Sequence, residues 1–205
     1  MENEKYLRDL KEIREMMNRS SRFISLSGFS GISVGIIALA GTYLAYRLVY
    51  LQQENLGYHP VELSDRSFAL LLVIALSTIL LSFLSGIFFT TRETRKKNLK
   101  VWDGQTRRLL INFLIPLIAG RLICLILRHQ GFPGLTAPLT LVFYGLALLN
   151  ASKYTLNEIR SRGLLEIVLG LLAMQFIHYG LLFWSLGFGL LHIIYGVVVY
   201  LKYRS

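Results

Sequence analysis

The sequence predicts an all-α, polytopic transmembrane helical bundle of six spans in three antiparallel hairpins. Three observations carry that expectation. Of 205 residues, 54% are apolar and 17% charged, against roughly 45–50% and 25% in soluble domains. The apolar residues are gathered into long blocks instead of recurring at a helical or strand period, and the basic residues stand between the blocks. The same composition excludes a disordered chain, a collagen-like repeat and a coiled coil, and the one cysteine, Cys124, excludes a disulfide scaffold.

Each element follows from what lipid demands. A bilayer core about 30 Å thick needs about 20 helical residues, whose backbone must bond internally because hydrocarbon offers no partner. Residues 1–22 precede the first long block. Their Leu7, Leu10, Ile13 and Met17 share a helical face, with Glu4 and Arg8, Lys11 and Glu15, and Glu15 and Arg19 at i,i+4. This is expected to be a cytoplasmic amphipathic helix, either docking a protein partner or a second copy as a homodimer, or lying at the membrane surface as a lead-in. Residues 23–46 and 67–91 carry no charge and form the first two spans. The Ala38-Leu39-Ala40 stretch resembles a signal-peptide cleavage site, but the apolar run continues to Tyr46 and a charged leader precedes it, so an uncleaved span is expected. Residues 109–127 hold Arg121 and Pro116; a membrane helix tolerates proline as a kink when a neighbour or water satisfies the carbonyl it frees. Residues 138–152 open on Pro138, which suits a first helical turn.

The last block sets the count. Residues 167–201 contain no Asp, Glu, Lys or Arg, and as one helix would run roughly 50 Å. The block must fold back, and Ser185, Gly187 and Gly189 are the natural breakers. Spans at 164–184 and 188–201 result, the second lengthened by Lys202 and Arg204 snorkelling to the interface. Residues 23–204 thus read as one six-helix membrane domain.

Basic residues give the orientation. Of the 22 Lys and Arg, those in residues 1–22, 92–108 and 153–162 and at the C-terminal end all fall on one side, leaving Arg47, Arg66, Arg121 and Arg128 elsewhere. An even number of spans with both termini cytoplasmic fits this bias, in a bacterial-type inner membrane. The net charge of +10 then expresses topology and attraction to anionic lipids at the cytoplasmic face. No nucleic-acid partner is expected, because the basic residues sit beside spans and not on a soluble domain. The outer loop carries Glu54, Glu62 and Asp65.

Ionisable side chains at membrane depth each ask for a partner or a purpose. Counting about 1.5 Å per residue from the predicted span ends places Arg121, His178 and His192 at similar depth, with Tyr144 and Gln175 within a turn. A polar cluster in the outer third of the bundle is therefore the ligand-binding candidate, with Arg121 as anchor for an anionic ligand. A bundle in which His178 and His192 bond across helices while Arg121 snorkels toward the outer acids reads the same residues structurally. No cofactor is expected on the main reading. The alternative is haem b, held axially by His178 and His192 on adjacent helices; a zinc site lacks a third ligand. Glu166, near the start of its helix, is expected to meet Arg162 or Arg108. Ser27, Gly31 and Gly35 follow the small-xxx-small spacing of close helix packing, within the bundle or in a homodimer.

No zinc-protease motif, phosphate loop or intramembrane carboxylate pair is present, so the expected function is non-enzymatic: a membrane module that binds a small ligand or partner in a sensing, regulatory or assembly role. A haem electron-transfer protein and a small transporter or channel are the alternatives.

Overall fold

A computed structural model describes residues 6, 27–51, 65–96, 102 and 104–203. The segment read as an amphipathic helix, 1–22, lies outside these apart from Tyr6, as do Glu54, Glu62 and the side chain of Asp65. The described residues fold into helices, with no strand among them. In chain order, α1 is Gly28–Tyr50, its last turn widened to a π-helix over Tyr46–Tyr50. Next come α2, Asp65–Lys96, and α3, Gly104–His129. Helix α4 is Thr136–Ala151, with a 3-10 turn at each end, and α5 is Asn157–Gln175. Finally α6 runs from Ile177 to Tyr203 through a 3-10 turn, a short α segment, a π segment at Ser185–Leu191 and a final α segment, His192–Tyr203. All of these helices except α5 are long and apolar enough to cross a membrane.

Successive helices run antiparallel. Ser33 of α1 meets Ser85 of α2, while Gly28 meets Gly196 and Gly35 meets Gly189 of α6. Contacts of Asn112 with Asn150 and of Gly120 with Phe143 set α3 against α4. Glycines explain how closely the inner helices approach. Lipid tails are as apolar as leucine, so helices associate in a membrane through packing at small residues and through interhelical hydrogen bonds. A Cβ placed on Gly31 would stand 2.9 Å from Gly196 Cα, and one on Gly145 would stand 2.6 Å from the Gly163 carbonyl oxygen. The small-residue face of α1 thus packs within the bundle, against α6. Helices α1, α4, α5 and α6 form the interior, lined by Ala38, Leu141, Ala147, Ala173 and Val199. Helices α2 and α3 flank it and expose Leu76, Ile79, Phe83, Ile115 and Ile118, a surface far too apolar for water.

Proline 116 is inside α3, and the helix continues through it. Lacking an N–H, Pro116 leaves the carbonyl of Asn112, four residues earlier, without its helical donor. The side chain of Asn150 in α4 donates its amide to that carbonyl at 2.8 Å. The expected neighbour is therefore present, and the repair also fixes the register of α3 on α4.

The fold-back of the last apolar block lies elsewhere than expected. Ser185, Gly187 and Gly189 are inside the π segment of a continuous α6, and the chain reverses at Phe176 (φ −118°, ψ 61°). Spans at 164–184 and 188–201 are accordingly replaced by helices at Asn157–Gln175 and Ile177 onward. The glycines are used for close packing: a Cβ on Gly187 would collide with Glu166 and Leu141, and one on Gly189 with Leu39.

Candidate functional site

Moving the reversal to Phe176 regroups the polar residues. His178 and His192 now lie on one helix, 14 positions apart, a separation of about 21 Å. His178 is exposed next to the turn and His192 is buried. The two rings are therefore not brought to a common iron within one chain, and the pair expected as axial haem ligands on adjacent helices is not formed. Arg121 is exposed on α3 and Gln175 is exposed at the end of α5. Of the five residues expected in one outer cluster, only Tyr144 and His192 meet. Their contact is 2.9 Å from the phenol oxygen to His192 Nε2.

Two residues outside that set complete the site. The close approach of Gly145 and Gly163 brings their chain predecessors, Tyr144 and Arg162, face to face across α4 and α5. Arg162 donates from an Nη atom to the Tyr144 hydroxyl at 3.0 Å and makes a short contact from the same atom to His192 Nε2. One turn further along α5, Glu166 is fully buried, 3.7 Å from Arg162. The i,i+4 pairing of Arg162 with Glu166 matches the expectation for that carboxylate.

Donor and acceptor chemistry fixes the proton on His192. The Gly187 carbonyl can only accept, and it stands 3.2 Å from Nδ1, so Nδ1 carries the hydrogen and Nε2 offers its lone pair. Arg162 can only donate, and the Tyr144 hydroxyl, accepting from Arg162, keeps its own hydrogen to donate, so the two share the single lone pair of Nε2. The result is a chain of contacts from Glu166 through Arg162 and Tyr144 to His192 and the backbone of the π segment. Three helices contribute, and the formal charges of Glu166 and Arg162 cancel.

Aromatic rings enclose this network. The Arg162 guanidinium carbon lies 5.5 Å from the Tyr144 ring centroid and 5.3 Å from that of Tyr195, within cation–π range. Phe188 packs on Tyr144 at 4.8 Å and Phe113 meets its edge at 5.9 Å. Low-polarity walls strengthen every electrostatic contact inside them and raise the cost of any polar atom left over. Among the described residues, no group donates a hydrogen bond to either oxygen of Glu166.

The chain matches no family model, no curated protein and no solved structure. A break at residues 185–189 sets His192 about 7 Å below the outer surface and away from Arg162 and Glu166. Counted from Ile177, His192 is about 22 Å along α6, level with Tyr144 and Arg162. A sequence signal for the true turn exists. Gln175, His178 and Tyr179 are the polar interruption of the long apolar block, and interfaces favour residues of that kind.

Proposed function

We propose that this chain is a non-enzymatic, multi-pass protein of a bacterial-type inner membrane, with six spans and both ends cytoplasmic. On this reading it binds a small ligand at the Tyr144–Arg162–Glu166–His192 cluster and uses that binding to sense or regulate. The observation that carries the reading is the buried Arg162–Glu166 ion pair, continued by hydrogen bonds into residues of two other helices. Ionisable groups at membrane depth are expensive to insert, about 2.5–3.5 kcal/mol each on insertion scales, and are kept where they serve a purpose. Glu166 indicates the ligand's chemistry. Among the described residues its two oxygens accept no hydrogen bond, Arg162 standing 3.7 Å away as an ion-pair partner, while the pair is already neutral overall. A small uncharged molecule bearing O–H or N–H groups satisfies those oxygens without adding a buried charge.

Full-length protein in nanodiscs, screened by thermal unfolding against small alcohols, polyols, amides and ureas, tests this. A hit should raise the unfolding temperature in a dose-dependent way, a ligand at 100 times its Kd contributing about 2.7 kcal/mol. Glu166→Gln and Tyr144→Phe should remove the response while the variants remain folded. A screen without hits, or a response unchanged in both variants, would leave the cluster as a structural brace and defeat the proposal. Solute flux through liposomes that disappears in Glu166→Gln would replace it with transport.

A further inference from the structure

The C-terminal half of α2 carries a feature that the buried cluster does not use. Phe88, Thr91, Arg92, Arg95 and Lys96 line an open cleft of about 590 Å³. Their spacing of i, i+3, i+4, i+7 and i+8 places all five on one face of the helix. Toward the middle of α2 the same face continues as Leu84 and Leu81, exposed at 54% and 55%, below Phe88 at 59%. One stripe thus changes along its length from exposed apolar side chains to three cations.

We infer that this stripe seats a single anionic phospholipid, its phosphate held by Arg92, Arg95 and Lys96 and an acyl chain laid along Phe88, Leu84 and Leu81. Charge complementarity selects the headgroup. Arg92 and Lys96 are like charges at i,i+4, and Arg92 and Arg95 at i,i+3, arrangements that repel on a bare helix and are relieved by an anion between them. The arginines offer forked donors that match phosphate oxygens, and the lysine adds a point charge. The Thr91 hydroxyl donates back to the Ile87 carbonyl at 2.7 Å, so the cations supply the donors to the phosphate. Glu93 does not line the cleft; at i,i+3 it offsets part of the charge of Lys96, which leaves Arg92 and Arg95 as the main phosphate donors. The apolar continuation selects a lipid over a free phosphate, which has nothing to place on Leu81, Leu84 and Phe88. The stripe also has the polarity of a lipid, with hydrocarbon toward mid-helix and phosphate at the end where α2 meets its basic connection.

Full-length protein in neutral-detergent micelles, titrated with phosphatidylglycerol and read by native mass spectrometry, is the test. Wild type should retain one phosphatidylglycerol in preference to phosphatidylcholine. The variant Arg92→Gln/Arg95→Gln/Lys96→Gln should weaken retention by about a hundredfold, the combined effect of three interfacial cations. Removal of equal charge elsewhere, in Arg107→Gln/Arg108→Gln/Lys153→Gln, should leave retention unchanged. Phe88→Ala should weaken phosphatidylglycerol binding and have no effect on glycerol phosphate. Equal losses in the two triple variants would show a diffuse charge effect and overturn the site. Competition by inorganic phosphate at the lipid's own concentration would overturn the lipid as occupant, and absence of preference over phosphatidylcholine would overturn both. Unfolding curves of the two triple variants, expected to coincide because all six positions are exposed or half-buried, separate a lost site from a lost fold.

Discussion

Arg162 holds three partners at once, so its loss should not resemble the loss of any one contact. Removing it strands Glu166, which is fully buried, and an uncompensated buried charge costs about 3–5 kcal/mol. Arg162→Met should therefore destabilise the protein by that order, read from reversible unfolding in mixed micelles. Arg162→Met/Glu166→Leu should recover most of the loss, because replacing both members of a buried pair with apolar groups is often close to neutral. Additive losses in the double variant would contradict the pairing. Tyr144→Phe removes a hydroxyl that contacts both Arg162 and His192 and should cost about 1–3 kcal/mol. At this scale the sequence was partly legible. Tyr144 and His192 stood out as polar residues in apolar surroundings, and the Arg162–Glu166 spacing announced an ion pair. That these were one site depended on the turn at Phe176, which no glycine or proline marks.

At the scale of whole helices, the solvent decides what a glycine means and leaves the meaning of a proline unchanged. In water, glycine within a helical pattern signals a break, since it is entropically costly there. Between membrane helices the same residue is the means of close approach, and Gly187 and Gly189 serve that purpose. Gly187→Ala should accordingly press a methyl group into Glu166 and Leu141 and destabilise by about 1–3 kcal/mol through overpacking, with α6 remaining helical by circular dichroism. Proline has the same chemical consequence in either solvent: it removes a donor. Its effect was therefore legible, and Asn150 provides the replacement. A double-mutant cycle tests that claim. Asn150→Ala alone orphans the Asn112 carbonyl and should cost about 1–3 kcal/mol. In a Pro116→Ala background the helix supplies its own donor, and the same substitution should then cost much less. Equal costs in both backgrounds would mean that the Asn150 amide does not substitute for the missing N–H.

For the molecule as a whole, the parity of crossings rests on α5. It has 19 residues, about 28 Å of helix, enough to match the hydrocarbon core, yet it carries Glu158, Arg160, Arg162 and Glu166. The arrangement of its charges makes crossing feasible. Glu158 pairs with Lys202 at the end of α6, while Arg162 and Glu166 neutralise one another inside the bundle. The Glu158–Lys202 contact also places the start of α5 beside the end of α6, where the end of α2 and the start of α3 bring further basic residues. Arg47, Arg66 and Arg128 belong to the opposite helix ends. In the proposed orientation the basic end is the cytoplasmic one, as the bias of Lys and Arg toward that side requires. Epitope tags on the two termini should thus both be shielded from protease outside intact cells, and a tag within residues 52–64 should be cleaved. If the C-terminal tag is cleaved and the N-terminal one is not, α5 fails to cross, and Arg162 and Glu166 lie at the surface of the membrane instead of within it. The same tags on Arg162→Met carry the argument one step further. With its cation gone, Glu166 alone must enter hydrocarbon, so a fraction of chains should expose the C-terminal tag, and the added Glu166→Leu change should restore protection.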